Sequence, residues 1–322
     1  MSKVIAIAFS DLHINDWAKF NSESKRTKNH FKVLSLIKKA CIKYNCPAIF
    51  CGDLFHKSEN ISLPLMGQVV TNFSKLQKKW KCYAISGNHD ILSVSKIGDT
   101  PESWVNIFSV MYDWLISIDY SYFTDEDNHV QYHGVPYLDH NIGLNEYLKS
   151  MELNDQYKHV LLLHTDYPGA QDTDGIEVGT SENLNINLLD KFDLTLIGHI
   201  HKPQRLSKKT YMIGAPLQQR RTDKNCDLGY YLIYDDMRLK FISLSDKFPK
   251  FIDVDSEDKV LDDGNYYTVV SVKVDQAVEQ VNKITKKLSK KRLIKRYLKA
   301  QGITDSKKES ILLDIIKESE ND

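Results

Sequence analysis

Five apolar runs in this 322-residue chain end in histidine, aspartate or asparagine, and this repeated pattern constrains the fold more than any other feature. The runs close on FSDLHIND, IFCGDLFHK, ISGNHD, LLLHTD and LIGHIH. In an open α/β sheet, the loops that follow the carboxyl ends of the strands line one crevice, where ligands bind. Five segments that lie far apart in sequence are therefore expected to deliver their polar side chains to one place.

The first part of the chain alternates between strand and helix patterns. KVIAIAF, PAIFC and KCYAIS are typical of strands, whereas HFKVLSLIKKACIKY and SLPLMGQVVTNFSKLQKKW have helical periodicity. This βαβαβ order predicts a sheet with helices on both faces. Later strands with fewer helices between them, from HVQYHGVPY to RLKFISLS, indicate a second sheet behind the first. The predicted fold is an α/β two-sheet sandwich flanked by helices, with a small α+β C-terminal cap and a helical tail.

Composition limits the cellular setting. Lys+Arg and Asp+Glu number 43 each, so the whole-chain charge does not indicate a polyanionic partner. No apolar run approaches the roughly 20 residues of a membrane span, and the N-terminus turns polar too soon for a signal peptide. We expect a soluble, cytoplasmic protein without a membrane partner. The five cysteines lack Cys-x-x-Cys spacing and are expected to be reduced and structural.

The residue types at the strand ends indicate a metal site. Imidazole, carboxylate and amide groups without thiolates suit divalent ions such as manganese, iron or zinc. Asp11 and His13 are two residues apart, as are His199 and His201, so each pair can share one face of an extended chain. The candidate metal ligands are Asp11, His13, Asp53, Asn88, His164, His199 and His201. Seven ligands suffice for two ions about 3.5–4 Å apart, an arrangement that activates water and holds a phosphoryl group.

In this order, Asp-x-His, Gly-Asp, Gly-Asn-His-Asp, a strand-end His and Gly-His-x-His resemble the motifs of the calcineurin-like metallophosphoesterases. The resemblance implies a division of the ligands: Asp11, His13 and His201 on one metal, Asn88, His164 and His199 on the other, and Asp53 bridging them. It also implies that His89 protonates the leaving oxygen. Asp90 would orient His89 or, equally well, cap a helix. The expected ions are Mn2+ (manganese), with Mg2+, Fe2+ or Zn2+ as alternatives.

Two further segments look like the DNA-repair branch of this family, the SbcD-like nucleases. GDLFH places His56 three residues after Asp53, where that branch has a histidine that supports exonuclease action; the alternative is a solvent-facing loop histidine. GHIHKPQ, YMIGAPLQQRR and GYYLIYD are also similar to that branch. The resemblance implies a hydrolase that acts as a DNA exonuclease or endonuclease with an SbcC-like, SMC-family ATPase. The compact tail looks more like the phage recombination subunits.

The predicted domains are a catalytic domain (1–247), a DNA-contacting cap (248–290) and a helical segment (291–322) that docks on the ATPase. A basic block in the cap and tail is a candidate DNA contact, formed by Lys286, Lys287, Lys290, Lys291 and Arg292. A solvated helix face, or a helix pair folded back on its own domain, would give the same pattern. A helix within residues 92–118 is expected either to form a homodimer within a heterotetramer or to pack on its own sheet.

The sequence is compatible with two rival functions. A phosphomonoesterase or cyclic-nucleotide phosphodiesterase would have the same fold and metals, because fold and metals do not determine the substrate. A non-catalytic scaffold of the ATPase complex is the other rival. Such a scaffold would be expected to lose ligands, whereas here all seven accompany His89.

Overall fold

The structure, a computed structural model, describes residues 2–17, 25–76, 80–93, 97–178 and 184–270. Its first sheet has six strands. In order across the sheet they are β12 (Leu239–Ser243), β11 (Gly229–Tyr234), β1 (Val4–Phe9), β2 (Ala48–Phe50), β3 (Cys82–Ala84) and β4 (Leu115–Ser117). Strands β1 to β4 are parallel, and β11 runs antiparallel to β1. The parallel strands therefore place their carboxyl ends on one edge.

The second sheet also has six strands and contains a parallel centre. In order they are β5 (Ser121–Asp125), β6 (Val130–Val135), β7 (Lys158–His164), β8 (Leu194–Gly198), β10 (Thr210–Met212) and β9 (Gln204–Arg205). Strands β6, β7, β8 and β10 are parallel to one another. A separate two-stranded sheet consists of β13 (Phe251–Val254) and β14 (Tyr266–Val269). The two large sheets confirm the predicted α/β sandwich.

In the described part of the chain, four α-helices cover the sheets: α1 (Lys25–Tyr44), α2 (Leu63–Leu76), α3 (Trp104–Met111) and α4 (Leu144–Ser150). Ile7 and Phe9 of β1 pack in a core with α1, α2 and α3, whereas Ala6 and Ala8 belong to the core that includes residues of the second sheet. Adjacent residues of a strand point to opposite faces, so one strand contributes to both cores. The prediction of helices on both faces of the first sheet was wrong, because the second sheet covers one of those faces.

The outer face of the second sheet has a core of its own. Leu161 and Leu163 of β7 pack there with Leu144 and Leu148 of α4. Strand β7 is buried on both faces and reads as a continuous apolar run, as expected for a central parallel strand. The sandwich thus holds the carboxyl ends of β7 and β8 rigidly beside those of β1 to β3.

Helix α3 has one side packed on its own domain and another side exposed, so packing on its own sheet and homodimer formation are both compatible with its structure. Val105 and Phe108 are buried in the core, so the helix packs on its own domain. On its other side, Val110 is 89% exposed and Met111 is 52% exposed. Homodimer formation through this helix stays a prediction.

The C-terminal predictions fall largely outside the described residues. The chain divides into a first compact unit of residues 1–252 and 263–266 and a second unit of residues 253–262 and 267–322. The basic block at 286–292 and the proposed docking segment at 291–322 lie outside the described residues, and the predicted domain boundaries stay predictions. Among the helices that the structure describes, none is long and apolar enough to cross a membrane.

Helix α1 buries a histidine, which predicts a specific pH dependence of stability. His30 is fully buried, and burial together with the charge of Arg26 lowers its pKa to about 3. Below the unfolded pKa of about 6.5, the unfolded chain binds a proton that the folded protein does not, so stability falls with falling pH. We expect His30→Leu to remove this loss of about 1.4 kcal/mol per pH unit between about pH 6.5 and 4.5.

Urea unfolding of the wild type and of His30→Leu across this pH range measures the effect. His140→Leu is the matched control, since the side chain of His140 is 81% exposed. Parallel stability curves for wild type and His30→Leu would contradict the assignment.

Candidate metal centre

All seven predicted ligands lie at one edge of the sandwich. Asp11 and His13 follow β1, Asp53 follows β2, and Asn88 follows β3, whereas His164 ends β7 and His199 and His201 follow β8. Asp11, His13, Asp53 and His164 are buried, with at most 3% of their surface exposed. Carboxyl ends of parallel strands from both sheets therefore converge on the same place.

A first cluster consists of Asp11, His13 and His201, whose candidate ligand atoms all lie within 4.8 Å of one another. The Nε2 atoms of His13 and His201 are 3.1 Å apart. Nε2 of His13 is also 3.5 Å from Oδ2 of Asp53. This group matches the set that the family resemblance implies for one metal.

A second cluster consists of Asp53, His164 and His199, again with ligand atoms within 4.8 Å. Oδ1 of Asn88 lies 3.0 Å from Nε2 of His164 and 3.0 Å from Nδ1 of His199. Oδ2 of Asp53 is 3.4 Å from Nε2 of His164. The same carboxylate oxygen thus approaches a histidine of each cluster, as a bridging ligand would.

Three of the four histidines bind a partner through the ring nitrogen that faces away from the cluster. Nδ1 of His164 donates to the carbonyl oxygen of Cys51 at 2.7 Å. Nδ1 of His201 is 3.4 Å from Oδ2 of Asp223, and Nε2 of His199 is 3.3 Å from Oδ1 of Asp166. Such partners determine which nitrogen carries a proton and leave the other free to bind a metal.

Sequence reasoning missed Asp223 and Asp166. Asp223 is fully buried, and its Oδ2 accepts the backbone N–H groups of Gln219 at 2.8 Å and Arg220 at 3.1 Å. Asp223 lies 22 residues beyond His201 with no spacing rule to connect them, so the sequence offered no signal. Asp166 directly follows the LLLHT segment, and its proximity to His164 in sequence could have made it a candidate.

The charges of the site are coupled. Burial alone would raise the pKa of Asp53, but the charges of His164 and His13 and a hydrogen bond from His164 bring it well below its usual range. Burial lowers the pKa of His164, yet the charge of Asp53 outweighs burial and raises it to about 9. Burial lowers the pKa of His13 well below its usual value. Asp53 is therefore an anion, and metal binding would release a proton from His164.

The residues fit a pair of divalent cations. Electron-pair donors face one another at short range, as with the two Nε2 atoms 3.1 Å apart and Oδ1 of Asn88 beside two histidines. A cation among these donors would satisfy them, and the absence of thiolates favours a borderline or hard ion over a structural zinc.

His89 and His56 form the outer wall of the site. The backbone N–H of His89 donates to Oδ1 of Asp53 at 2.9 Å, and its Nδ1 donates to the carbonyl oxygen of His56 at 2.6 Å. The rings of His56 and His89 are stacked with centroids 5.2 Å apart. Burial and the charge of His89 lower the pKa of His56 to about 4, so His56 is neutral near pH 7. A ligand atom from each of His13, His56 and His89 also lies within 4.8 Å of the others.

Asp90 neither orients His89 nor caps a helix, the two roles expected from the sequence. Its buried carboxylate accepts backbone N–H groups of four residues at 2.8 to 3.2 Å: Asp53, Leu54, Phe55 and Gly87. The hydrogen bonds of His89 go to Asp53 and His56 instead, and Ser103 supplies the side-chain cap of α3. Asp90 therefore joins the Gly52-Asp53 loop to the Gly87-Asn88 loop, because a buried carboxylate needs several donors to offset its desolvation.

Four predicted ligands have left-handed backbone conformations, which residues other than glycine rarely adopt. Their φ angles are 51° for Asp11, 47° for His13, 62° for Asp53 and 100° for His199. Each such residue costs on the order of 1–3 kcal/mol, and such residues cluster at functional sites. The sandwich thus holds strained turns in the place where the ligand side chains converge.

Gly87 is required because Asp53 leaves no room for a side chain. A Cβ at Gly87 would lie 2.2 Å from Oδ1 and 2.5 Å from the backbone nitrogen of Asp53. We expect Gly87→Ala to displace Asp53, reduce stability by roughly 1–3 kcal/mol and lower the bound metal, as thermal unfolding and elemental analysis would measure.

Gly67→Ala is the matched control, because a Cβ at Gly67 in α2 meets nothing within 4 Å. Alanine at that position should raise stability slightly, since it favours a helix more than glycine does. A metal content equal to wild type in Gly87→Ala would show that Asp53 has room to move.

A cavity of about 480 Å³ opens onto these residues. Its lining includes His13, Asp53, His89 and Arg220. The cavity therefore gives a substrate access to both clusters and to His89 at once.

Comparisons with known proteins agree with this geometry. A sequence profile described as calcineurin-like phosphoesterase matches residues 6–203, well over half of the 322 residues. No curated protein is significantly similar to the chain in sequence.

Two solved structures are similar in part. The protein TT1561 of Thermus thermophilus is 13% identical with a TM-score of 0.47, covering 75% of this chain and 99% of its own. The nuclease MPE of Pseudomonas putida is 15% identical with a TM-score of 0.29, covering 54% of this chain and 67% of its own. Neither likeness bears on the substrate. With the family profile spanning all five strand-end motifs and their side chains gathered at one edge, the chain belongs to the calcineurin-like phosphoesterases.

Proposed function

We propose that this phosphoesterase is a DNA nuclease that hydrolyses phosphodiester bonds with two divalent metal ions, Mn2+ being the expected metal. Membership of the family implies a metal-dependent phosphoester hydrolase. The observation that carries the two-metal proposal is the position of Asp53. Its Oδ2 lies 3.5 Å from Nε2 of His13 and 3.4 Å from Nε2 of His164, one histidine from each cluster.

The expected binding residues divide as the two clusters do. Asp11, His13 and His201 would hold one ion, and Asn88, His164 and His199 the other, with Asp53 between them. When bound, the two ions would supply the positive charge that stabilises the phosphoryl oxygens and would activate the attacking water. Asp166 and Asp223 would keep His199 and His201 in the orientation that binding requires.

His89 would protonate the leaving oxygen as the phosphorus–oxygen bond breaks. Because Nδ1 of His89 donates to the carbonyl oxygen of His56, Nε2 is the nitrogen that remains to give a proton. The carbonyl and the ring of His56 hold His89 at the cavity wall, beside Asp53. Positioned proton transfer of this kind contributes about 10²–10⁴-fold to a rate.

Two observations support DNA as the substrate. His56 lines the cavity and stacks on His89. The resemblance to the SbcD-like branch implies that a histidine at this position supports exonuclease action. Arg220, whose side chain is 58% exposed, lines the same cavity; its Nε lies 3.6 Å from Oδ1 of Asp223, and its other N–H groups would bind a neighbouring phosphate. Otherwise, the choice of DNA as the substrate rests on the sequence resemblance to the SbcD-like branch.

The proposal extends to partners. The exposed side of α3 would form a homodimer, and residues 291–322 would dock on an SbcC-like ATPase in a phage-encoded recombination or repair complex. Val110 and Met111 support the dimer contact. Sedimentation of the wild type beside Val110→Glu would test it, with a dimer expected only for the wild type.

The proposed function is tested with linear duplex and single-stranded DNA, offered to the full chain in Mn2+ and in excess chelator. The same DNA is offered with an SbcC-like ATPase and ATP, and bis(p-nitrophenyl) phosphate reports phosphoesterase activity independently. Degradation of DNA that requires the metal is expected. Hydrolysis of the small ester while DNA survives every condition would overturn the nuclease proposal and leave the family assignment intact.

A further inference from the structure

Trp17 is a tryptophan whose ring is left partly open to solvent at the substrate cavity. Its surface is 37% exposed, whereas Trp80 and Trp114 are 6% and 2% exposed. Trp104 is partly buried, and its indole N–H donates to the carbonyl oxygen of Ser58 at 2.8 Å. Trp17 lines the cavity together with His13, His56 and His89. The exposed part of this aromatic side chain is therefore available to pack against a ligand in the cavity.

The ring of Trp17 continues a row of aromatic rings that begins at the catalytic wall. His89 and His56 stack with centroids 5.2 Å apart, and the ring of Trp17 meets that of His56 at 4.2 Å and an angle of 79°. The row therefore runs from the residue that faces the scissile bond to a residue at the cavity margin. A flat group attached beside the scissile phosphate would come into contact with this row.

Arg26 connects the ring of Trp17 to the segment that precedes Arg220. The guanidinium carbon of Arg26 lies 5.5 Å from the centre of the Trp17 ring, and Arg26 donates to the carbonyl oxygen of Gln219. Arg220 follows Gln219 directly and lines the cavity. Asp166 and Asp172 line the same cavity, and their carboxylates would repel a phosphate backbone. The positive charges of Arg26 and Arg220 would attract it.

We propose that Trp17 stacks on a nucleobase next to the scissile phosphate and so makes the site select nucleic acid over smaller phosphoesters. This inference rests on the proposed DNA nuclease function. Stacking on an aromatic side chain suits any base, because every base has a π face, and removal of the ring typically weakens binding by roughly ten- to a hundredfold. Arg26 beneath the ring adds a fixed cation that favours an electron-rich partner.

Binding is measured by fluorescence anisotropy in the His89→Ala background with Mn2+, so that DNA is held without turnover. The probe is a fluorescein-labelled single-stranded oligonucleotide of about 20 nucleotides, intact or with one abasic residue placed at successive positions. Trp17→Ala is expected to weaken binding of the intact strand by roughly ten- to a hundredfold. Trp17→Phe, which keeps an aromatic ring over Arg26, should recover most of the affinity.

An abasic position separates stacking from a merely structural role. When the missing base is the one that Trp17 contacts, the parent protein should bind the abasic strand as weakly as Trp17→Ala binds the intact strand. Trp17→Ala should then bind the abasic strand no more weakly than it binds the intact strand. Trp104→Phe is the matched control, since Trp104 contacts Ser58 rather than lining the cavity. Thermal unfolding of each variant shows whether the fold is retained.

The outcomes distinguish the two proposals. Tight DNA binding that Trp17→Ala leaves unchanged would overturn the inference about Trp17 while the nuclease proposal stands. If Trp17→Ala weakened binding of the intact strand and of every one of the abasic strands equally, the inference would also be overturned. No DNA binding by the parent protein, together with survival of DNA in the degradation assay, would overturn both.

Discussion

Asp53→Asn is expected to abolish hydrolysis and to lower the metal content from two ions per chain to one or none. The substitution preserves the shape of the side chain and removes the negative charge of the oxygen that approaches both His13 and His164. An amide cannot set an anionic oxygen between two cations, so both clusters lose affinity. Loss of this charge should reduce turnover by roughly a thousandfold or more. Elemental analysis and hydrolysis of bis(p-nitrophenyl) phosphate measure the two effects.

Asp193→Asn provides the matched control for this experiment. Asp193 accepts the backbone N–H of His159 and precedes β8, at the end of the sheet opposite the clusters. The same chemical change there should leave two ions bound and turnover intact. Two ions in Asp53→Asn would show that Asp53 is not the bridging ligand.

His89→Ala is expected to reduce turnover by about 10²–10⁴-fold and to leave the metal content unchanged. The backbone N–H of His89, which binds Asp53, remains in the variant, so the ligand keeps its hydrogen bond. What is removed is the ring whose Nε2 would give a proton to the leaving oxygen. The loss should be smaller for an ester with a nitrophenolate leaving group, which needs no proton, than for DNA.

The exposed His140 offers a control for this substitution. His140→Ala should match the wild type in rate with both substrates and in bound metal. A deficit of metal in His89→Ala would instead place His89 among the ligands, as its proximity to His13 and His56 allows. An equal loss for both substrates would argue against proton transfer.

Much of the fold could be predicted because apolar runs end in unusual polar residues. β1, β2, β3, β7 and β8 are buried strands, and each carries its functional residues at or just after its last apolar position. Short elements escaped because their patterns are weak. β4 has three residues, and β13 has four. α1 begins at Lys25, five residues before its apolar periodicity, because its first turn buries polar residues such as Arg26 and Thr27.

Only the residues of the candidate site that belong to sequence motifs could be predicted. The seven ligand positions carry residue types and spacings that indicate metal binding. Asp223, Asp166 and Trp17 reach the site through the fold, Asp223 from a short 3-10 helix and the other two from loops, and none lies in a recognisable motif. The sequence predicted that Asp90 orients His89 or caps a helix. Its position between two loops could not be predicted, because its four backbone donors come together only when these loops, distant in sequence, fold side by side.

The loops that carry the ligands are fastened to one another by hydrogen bonds that involve no ligand side chain. The backbone N–H of Asp11 donates to Gly52, that of His13 donates to Asp53, and the carboxylate of Asp90 binds both the Asp53 and the Gly87 loops. Such a site is built before any ion arrives. Ions should therefore exchange reversibly in the folded protein, and the one that occupies the site would be chosen by its supply in the surrounding compartment rather than by the folding of the chain.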